Sequence, residues 1–319
     1  MHSRWYTAAV VLLWVATMSW LVHQKVLPPL IIGEPPSFRS ILEVQRQQPP
    51  VGWKLLLNGR EMGWGLSQTV PMASGVSEVR GHVHLNRLPL EEVTRGWARA
   101  LVQLIPQPTN RLEVDAQSHL TIDALGRLLD FESTVRFEPL RRLVRVQGTV
   151  EGTQVNLTVR VGEVSYQTEV SVPANGMLGN ALSPQSDLPG LRPGQIWTVP
   201  SYNPLCPRDP LEILQAQVEG REPIQWGGKR IDTWLVAYRS DSGSQLGGDP
   251  TPRQQLWVRF DGRVLKQQVI FLESELTFLR MSDEESAQLA ARAADKSARE
   301  KNAAVHAHDA GADESSPEQ

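Results

Sequence analysis

The sequence predicts a mainly β chain with flanking α segments: an N-terminal transmembrane helix, then a curved antiparallel sheet, an open half-barrel covered by one or two helices. Three observations predict it. Polarity alternates with period two through five successive segments between Leu112 and Val172, the pattern of a sheet wet on one face and buried on the other. Asn58–Gly59, Glu151–Gly152 and Asp261–Gly262 sit between apolar runs, where tight hairpins need positive φ. Near the N-terminus, "WYTAAVVLLWVATMSWLV" (5–22) carries no charge.

That first run covers about 27 Å at ~1.5 Å per residue, close to the thickness of a bilayer's hydrocarbon. Trp5, Tyr6 and Trp20 stand near its ends, where amphipathic rings favour the headgroup level. "SWLVHQ" lacks the small-residue pattern of a cleavage site, so the expectation is an uncleaved anchor. Arg4 and the amino terminus favour an inside N-terminus, with the long remainder translocated to the periplasmic side. The expected organisation is a stub and anchor at 1–25, a stiff Pro-rich spacer at 26–36, one β domain at 37–281, a charged helix at 282–300 and a disordered tail at 301–319.

Within the domain, "SFRSILEVQRQQPP" reads as a short helix with Phe38, Ile41 and Leu42 on one side, ended by Pro49–Pro50. In "LLLNGREMGWGLSQTV" the glycine spacing is GxxxGxG and the following residues are strand-like, which excludes a dinucleotide-phosphate loop. Gly63 and Gly65 share one strand face, opposite Met62, Trp64 and Leu66. Two absent side chains leave space for a neighbouring aromatic or for a ligand. "PLEEVTRGWARALVQLIP" predicts a helix near 89–105 whose stripe of Leu90, Val93, Trp97, Leu101 and Leu104 packs on the sheet. A Pro/Gly-rich passage from Val172 to Gly194 should cross the sheet's edge or mouth before strands resume. Ser282 with Glu285 makes a capping box that starts the last helix.

Size and charge bound the function. The 319 residues carry a net charge of −3, so there is no global attraction to nucleic acid. The single cysteine, Cys206, forbids an intrachain disulfide.

An early helix, a long antiparallel sheet and a crossing amphipathic helix resemble the LolA/LolB-like extracytoplasmic carriers across roughly residues 38–280. That resemblance implies an unclosed β-barrel with a hydrophobic cavity for lipid chains. Locally, "PGLRPGQIWTVPSYNPL" and "WVRFDGRVLKQQVIFLESELTFLRMSDEES" are similar to the β-rich region upstream of bacterial transglutaminase-like domains. This second likeness implies a shared accessory module and brings no catalytic residue with it.

Several residues could carry chemistry, and each also has an ordinary structural role. Cys206 in "NPLCPRDP" has Arg208 nearby and no local nucleophile signature, so it reads as incidental. His82 and His84 fall on one strand face, but two imidazoles are too few for a metal centre. His119 has no motif around it, and "HAHD" at His306, His308 and Asp309 falls in the expected tail. Glu113, Asp115 and Asp123 form the acidic row that alternation produces on a solvated face. Arg141, Arg142 and Arg145 read as surface, and the Asn156 sequon lies inside a strand. The reading is therefore non-enzymatic, with no catalytic residue, cofactor or metal. It expects an anchored extracytoplasmic binding or scaffold protein, attached to a membrane through 5–22 and engaging a lipid or a protein partner, not nucleic acid. Its candidate ligand cavity lies between sheet and helix at Gly63, Gly65, Trp64, Trp97 and Leu101. The alternative is an interaction protein whose core is filled and takes no small ligand.

Overall fold

The computed structural model describes residues 2–22, 35–88, 112–138, 142–171, 179–180, 183–202, 211–240, 251–271 and 274–295. Helix α1 (His2–Leu21) is followed by α2 (Phe38–Gln45). The first run of strands is β1 (Val51–Leu57), β2 (Arg60–Pro71), β3 (Ser77–Leu88), β4 (Leu112–Ile122), β5 (Leu128–Glu138), β6 (Arg142–Glu151), β7 (Gln154–Val161) and β8 (Val164–Ser171). The second is β9 (Gly179–Asn180), β10 (Ile196–Tyr202), β11 (Leu211–Trp226), β12 (Lys229–Ser240), β13 (Gln254–Arg259), β14 (Val264–Phe271) and β15 (Ser274–Arg280). Helix α3 covers 283–295.

These strands make one open sheet in the order β8 to β1, then β15 down to β9. Every described pairing is antiparallel except that of the two-residue β9, which lies parallel to β10. The sheet is thus two meanders joined through β1 and β15, with Trp53 opposite Arg280 and Leu57 opposite Leu276. The turns expected from the sequence form: Asn58 and Gly59 both take positive φ (47° and 80°), as a type I′ hairpin needs, and Gly152 and Gly262 do the same at their corners.

Alternation places the core on one face. Along β4 every second residue from Leu112 to Ile122 is buried, and β7 buries Val155, Leu157 and Val159. Trp53, Leu55, Phe131, Val146, Val236 and Phe278, drawn from both meanders, have at most 2 % of their surface exposed and belong to one contiguous cluster. Gly148 has no room for a side chain, because the Phe131 ring occupies the place a Cβ would take.

The inner face also has a trough. Ser67, Gly81, Ser118 and Ser133 are cross-strand neighbours on β2 to β5, and all are small and buried. Residues 183–188 lie along it as a strap. A Cβ on Gly81 would come within 2.7 Å of Ser183 Oγ, and the Ser67 hydroxyl donates to the Pro184 carbonyl at 3.3 Å. The strap is tied to the second meander as well: Val264 N–H donates to Ser186 O, and Leu188 N–H to Gly262 O. The described part of the Pro/Gly-rich passage therefore crosses the concave side of the sheet.

Two expectations need correction or delimitation here. Residues 2–21 are helical, but among the described residues no helix is long and apolar enough to cross a membrane, so the transmembrane assignment is corrected. Arg4 lies inside the helix, and Thr7, Thr17 and Ser19 together with Trp5, Tyr6, Trp14 and Trp20 dilute the apolarity of its run. The helix predicted near 89–105 lies outside the described residues, as do residues 296–319, and with them Trp97, Leu101, Cys206, His306, His308 and Asp309.

Candidate functional site on the outer face

Strand alternation turns a second set of side chains outward on β2 to β5, and the register aligns them in rows. Trp64, His84, Asp115 and Arg136 are successive cross-strand neighbours. Leu66, His82, Gln117 and Thr134 form the next row, and Gln68, Arg80, His119 and Glu132 the one after. Helix α3 closes one side. Its capping box forms as expected, with Ser282 N–H donating to Glu285 Oε2 at 3.0 Å and Glu285 N–H to Ser282 Oγ at 3.2 Å.

From there α3 is fastened to β1. The Gly52 N–H donates to the buried Ser286 hydroxyl at 2.9 Å, and Lys54 Nζ lies 2.9 Å from Glu285 Oε1. One turn further along, Leu289, Ala290 and Ala293 are half-buried. Small residues on this face let the helix approach closely, and Ala293 becomes a wall of a groove of ≈ 350 Å³. Its floor includes Trp64, Arg80, His82, Asp115, Gln117 and His119, with Arg136 and Glu138 also lining it.

Asp115 is the electrostatic centre. One carboxylate oxygen accepts from His82 Nε2 at 2.8 Å and lies 3.4 Å from His84 Nδ1; the other accepts from Gln117 Nε2 at 3.2 Å. Burial pushes the carboxyl up, but the hydrogen bond from His82, with the nearby His84 imidazole and Gln117, outweighs it and holds Asp115 well below the usual carboxylate range. Trp64 packs against both imidazoles, edge-on to His82 at 4.8 Å between centroids and tilted to His84 at 5.6 Å. A second carboxylate organises the neighbouring row. Glu78 meets Arg80 at 2.6 Å and His119 at 2.9 Å, and the Arg80 contact is the main reason its carboxyl is held down.

This arrangement explains the fate of each candidate. His82 and His84 converge on one carboxylate oxygen, and among the described residues no group of three or more His, Cys, Asp or Glu could hold a metal ion. Asp123 closes a turn, accepting from the backbone of Leu125 and Arg127, and Glu113 pairs in register with Glu138. Arg145 is engaged by Glu132 at 3.0 Å, and Asn156 sits within β7 opposite Thr149. The glycine pair belongs to the other face. A Cβ at Gly63 would collide with the His84 carbonyl, and one at Gly65 would meet Leu55 Cδ1 at 3.3 Å and Trp53 Cβ at 3.5 Å. The space at these glycines is filled by the protein's own backbone and side chains, while Trp64 is in the outer groove. The structure does not bring these three residues to one site.

A polar cavity of ≈ 80 Å³ lies on the inner side, between α2 and the strap. Asp187 lines it, has no exposed surface, and its Oδ2 has no hydrogen-bond partner. Burial pushes the Asp187 carboxyl up, against the pull of the Arg280 guanidinium, whose own hydrogen bonds go to the carbonyls of Ser186 (2.7 Å) and Val264 (3.4 Å).

No protein-family model matches the chain, and no curated protein does. Among solved structures, it is similar to a β-barrel-like protein of a domain family of unknown function (DUF1849) from Brucella abortus, at 11 % identity and a TM-score of 0.41, over 73 % of this chain and 95 % of that one. It is also similar to a DUF1089 family protein from Pseudomonas aeruginosa, at 14 % identity and a TM-score of 0.32, over 64 % of this chain and 88 % of that one. Neither description names a LolA/LolB-like carrier, and these scores carry no functional argument.

Proposed function

We propose that this chain is a non-enzymatic binding or scaffold module at a membrane surface, outside the cytoplasm, and that it engages its ligand or partner through the outer groove of β2 to β5. The observation that carries the reading is the contrast between the two faces. Ligand sites occupy roughly 300–1,000 Å³ and combine an aromatic surface with a few placed polar groups. The outer groove has ≈ 350 Å³, an indole and a fixed carboxylate. The cavity on the inner side has ≈ 80 Å³, well short of an acyl chain's needs, and its lining includes Ile41, Leu120 and Val199 of the buried hydrophobic cluster. Of the two readings of the sequence, the observations favour an inner face without room for a lipid chain.

Membrane attachment rests on α1. Its apolar residues are exposed around the helix, with Leu12, Leu13 and Trp20 at 65–70 %. Apolar surface of this extent favours transfer out of water, and a bilayer provides for it. Flotation of the full chain with liposomes, compared with a chain lacking residues 1–25, tests the attachment; equal flotation refutes it. Native mass spectrometry of the full chain released from membranes tests the groove, with Arg136→Glu as the comparison. A non-covalent partner mass retained by the parent and lost by the variant supports the groove. Equal retention by both, or none by either, refutes it.

A further inference from the structure

We propose that the cavity between α2 and the strap is a binding site for an alkylammonium group, a short aliphatic stem ending in a primary ammonium. The site lies on the opposite side of the sheet from the outer groove, and its assignment stands whether or not that groove binds a ligand.

Three features converge. The first is Asp187: fully buried, lining the cavity, with one carboxylate oxygen unpartnered. Its other oxygen accepts a long bond from Gln48 Nε2, at 3.4 Å, and the Arg280 guanidinium acts on the carboxyl as an opposite charge. A buried carboxylate oxygen without a donor costs free energy, and proteins normally satisfy such groups. Burial disfavours a bare carboxylate here, and an ammonium group would compensate the charge and supply up to three donors. The second feature is the opposite wall, which is apolar: Phe38, Ile41, Leu42, Val79, Leu120 and Val199. A wholly hydrated ion has no use for that wall, whereas methylenes do. The third is size. At ≈ 80 Å³ the cavity has about half the volume of one that holds benzene, so it takes the ammonium and the first methylenes, with the rest of a butyl stem reaching toward the rim. Entry is from the rim, where Phe38 and Gln48 are half-buried and Pro49 is exposed.

The same chemistry occurs in a small free amine and at the end of a lysine side chain, and the probes separate the two. The full chain is titrated with n-butylammonium chloride, butan-1-ol and sodium butyrate, following thermal unfolding and heat of binding. Butylammonium should bind with Kd on the order of 1 mM and raise Tm by about 2–4 °C at roughly ten times Kd. Asp187→Asn should weaken it roughly 10- to 100-fold. If that variant does not fold, Ile41→Phe, which fills the apolar end, should abolish the shift. Nα-acetyl-lysine N-methylamide protecting as well as butylammonium assigns the site to a polypeptide lysine; protection by butylammonium alone assigns it to a free amine. Equal protection by butan-1-ol, no protection by butylammonium, or undiminished binding by Asp187→Asn each overturns the proposal.

Discussion

Replacing Gly63 by alanine should destabilise the protein by about 3 kcal/mol more than the same replacement two residues away at Gly65. Both glycines lie on the inner face of β2, so the change in unfolded-chain entropy is nearly the same in the two variants and cancels. What differs is the obstacle. At Gly63 a new Cβ would fall inside the contact surface of the His84 carbonyl oxygen, with Leu85 Cα at 3.0 Å behind it. Backbone of a paired central strand cannot rotate aside. Relief requires β3 to move away from β2 by more than an ångström near its bulge between Leu85 and Leu88. Backbone displacement costs typically ~1–3 kcal/mol, and one or two weakened ladder hydrogen bonds add about 1 kcal/mol each. At Gly65 the first obstacle is Leu55 Cδ1 at 3.3 Å, the end of a flexible side chain that can give by a few tenths of an ångström. There the gain in strand propensity roughly offsets the contact. Urea unfolding of the two variants, with slopes checked against the parent, measures the difference. Equal midpoints would refute the claim that the glycine face is closed by backbone, and would return the ligand gap to consideration.

Three further outcomes follow from the two carboxylates and the last helix. Asp115 is held low in the folded state, so its stabilisation is present above the ordinary carboxylate range and is lost as pH falls through it; Asp115→Asn should cost about 1–2 kcal/mol at neutral pH and flatten the acid limb of stability against pH. Asp187 has the opposite sign: its raised folded value gives stability that is full at low pH and lost as pH rises, so Asp187→Asn should gain about 1 kcal/mol at pH 8 and nearly nothing at pH 4, measured by denaturant midpoints. Ser286→Ala leaves the buried Gly52 N–H without an acceptor and should cost about 1–3 kcal/mol, whereas Lys54→Ala breaks only an exposed pair and should cost under about 0.5 kcal/mol.

Period and punctuation were legible in the sequence; register was not. The alternation from Leu112 onward, the Asn58–Gly59 hairpin and the Ser282/Glu285 capping box depend on residues close in the chain, and they form as read. The row Trp64, His84, Asp115, Arg136 depends on how four strands slide past one another, and a two-residue slip keeps the same faces while pairing different side chains. Asp115 therefore looked like one member of an acidic row. The strap was hidden for a related reason: Ser67, Gly81, Ser118 and Ser133 are unremarkable until pairing lines them up as a trough. Helix α3 has a stripe of Ser286, Ala290 and Ala293, too weakly apolar to announce a docking face but small enough to lie close on a sheet.

The pairing of β1 with β15 links the two faces. Because the first and last strands are neighbours, α2 before β1 and α3 after β15 emerge close together, one to the inner side and the other to the outer. Arg280, the last residue of β15, holds the strap through Ser186 O, and the next residue, Met281, donates its N–H to the Gly52 carbonyl. Gln45 at the end of α2 reaches the same strap through Ser186 Oγ at 2.7 Å and the inner face of β2 through Thr69 at 2.8 Å. A ligand that displaced the strap at Asp187 would act on the residues that seat α3, a wall of the groove. Coupling between two sites requires such a shared element, present in both and able to shift. Butylammonium should then change the reactivity of a cysteine placed at Ala293, while a cysteine at Ala294 on the exposed side of the same helix reports no change; no change at Ala293, or the same change at both positions, would refute the coupling.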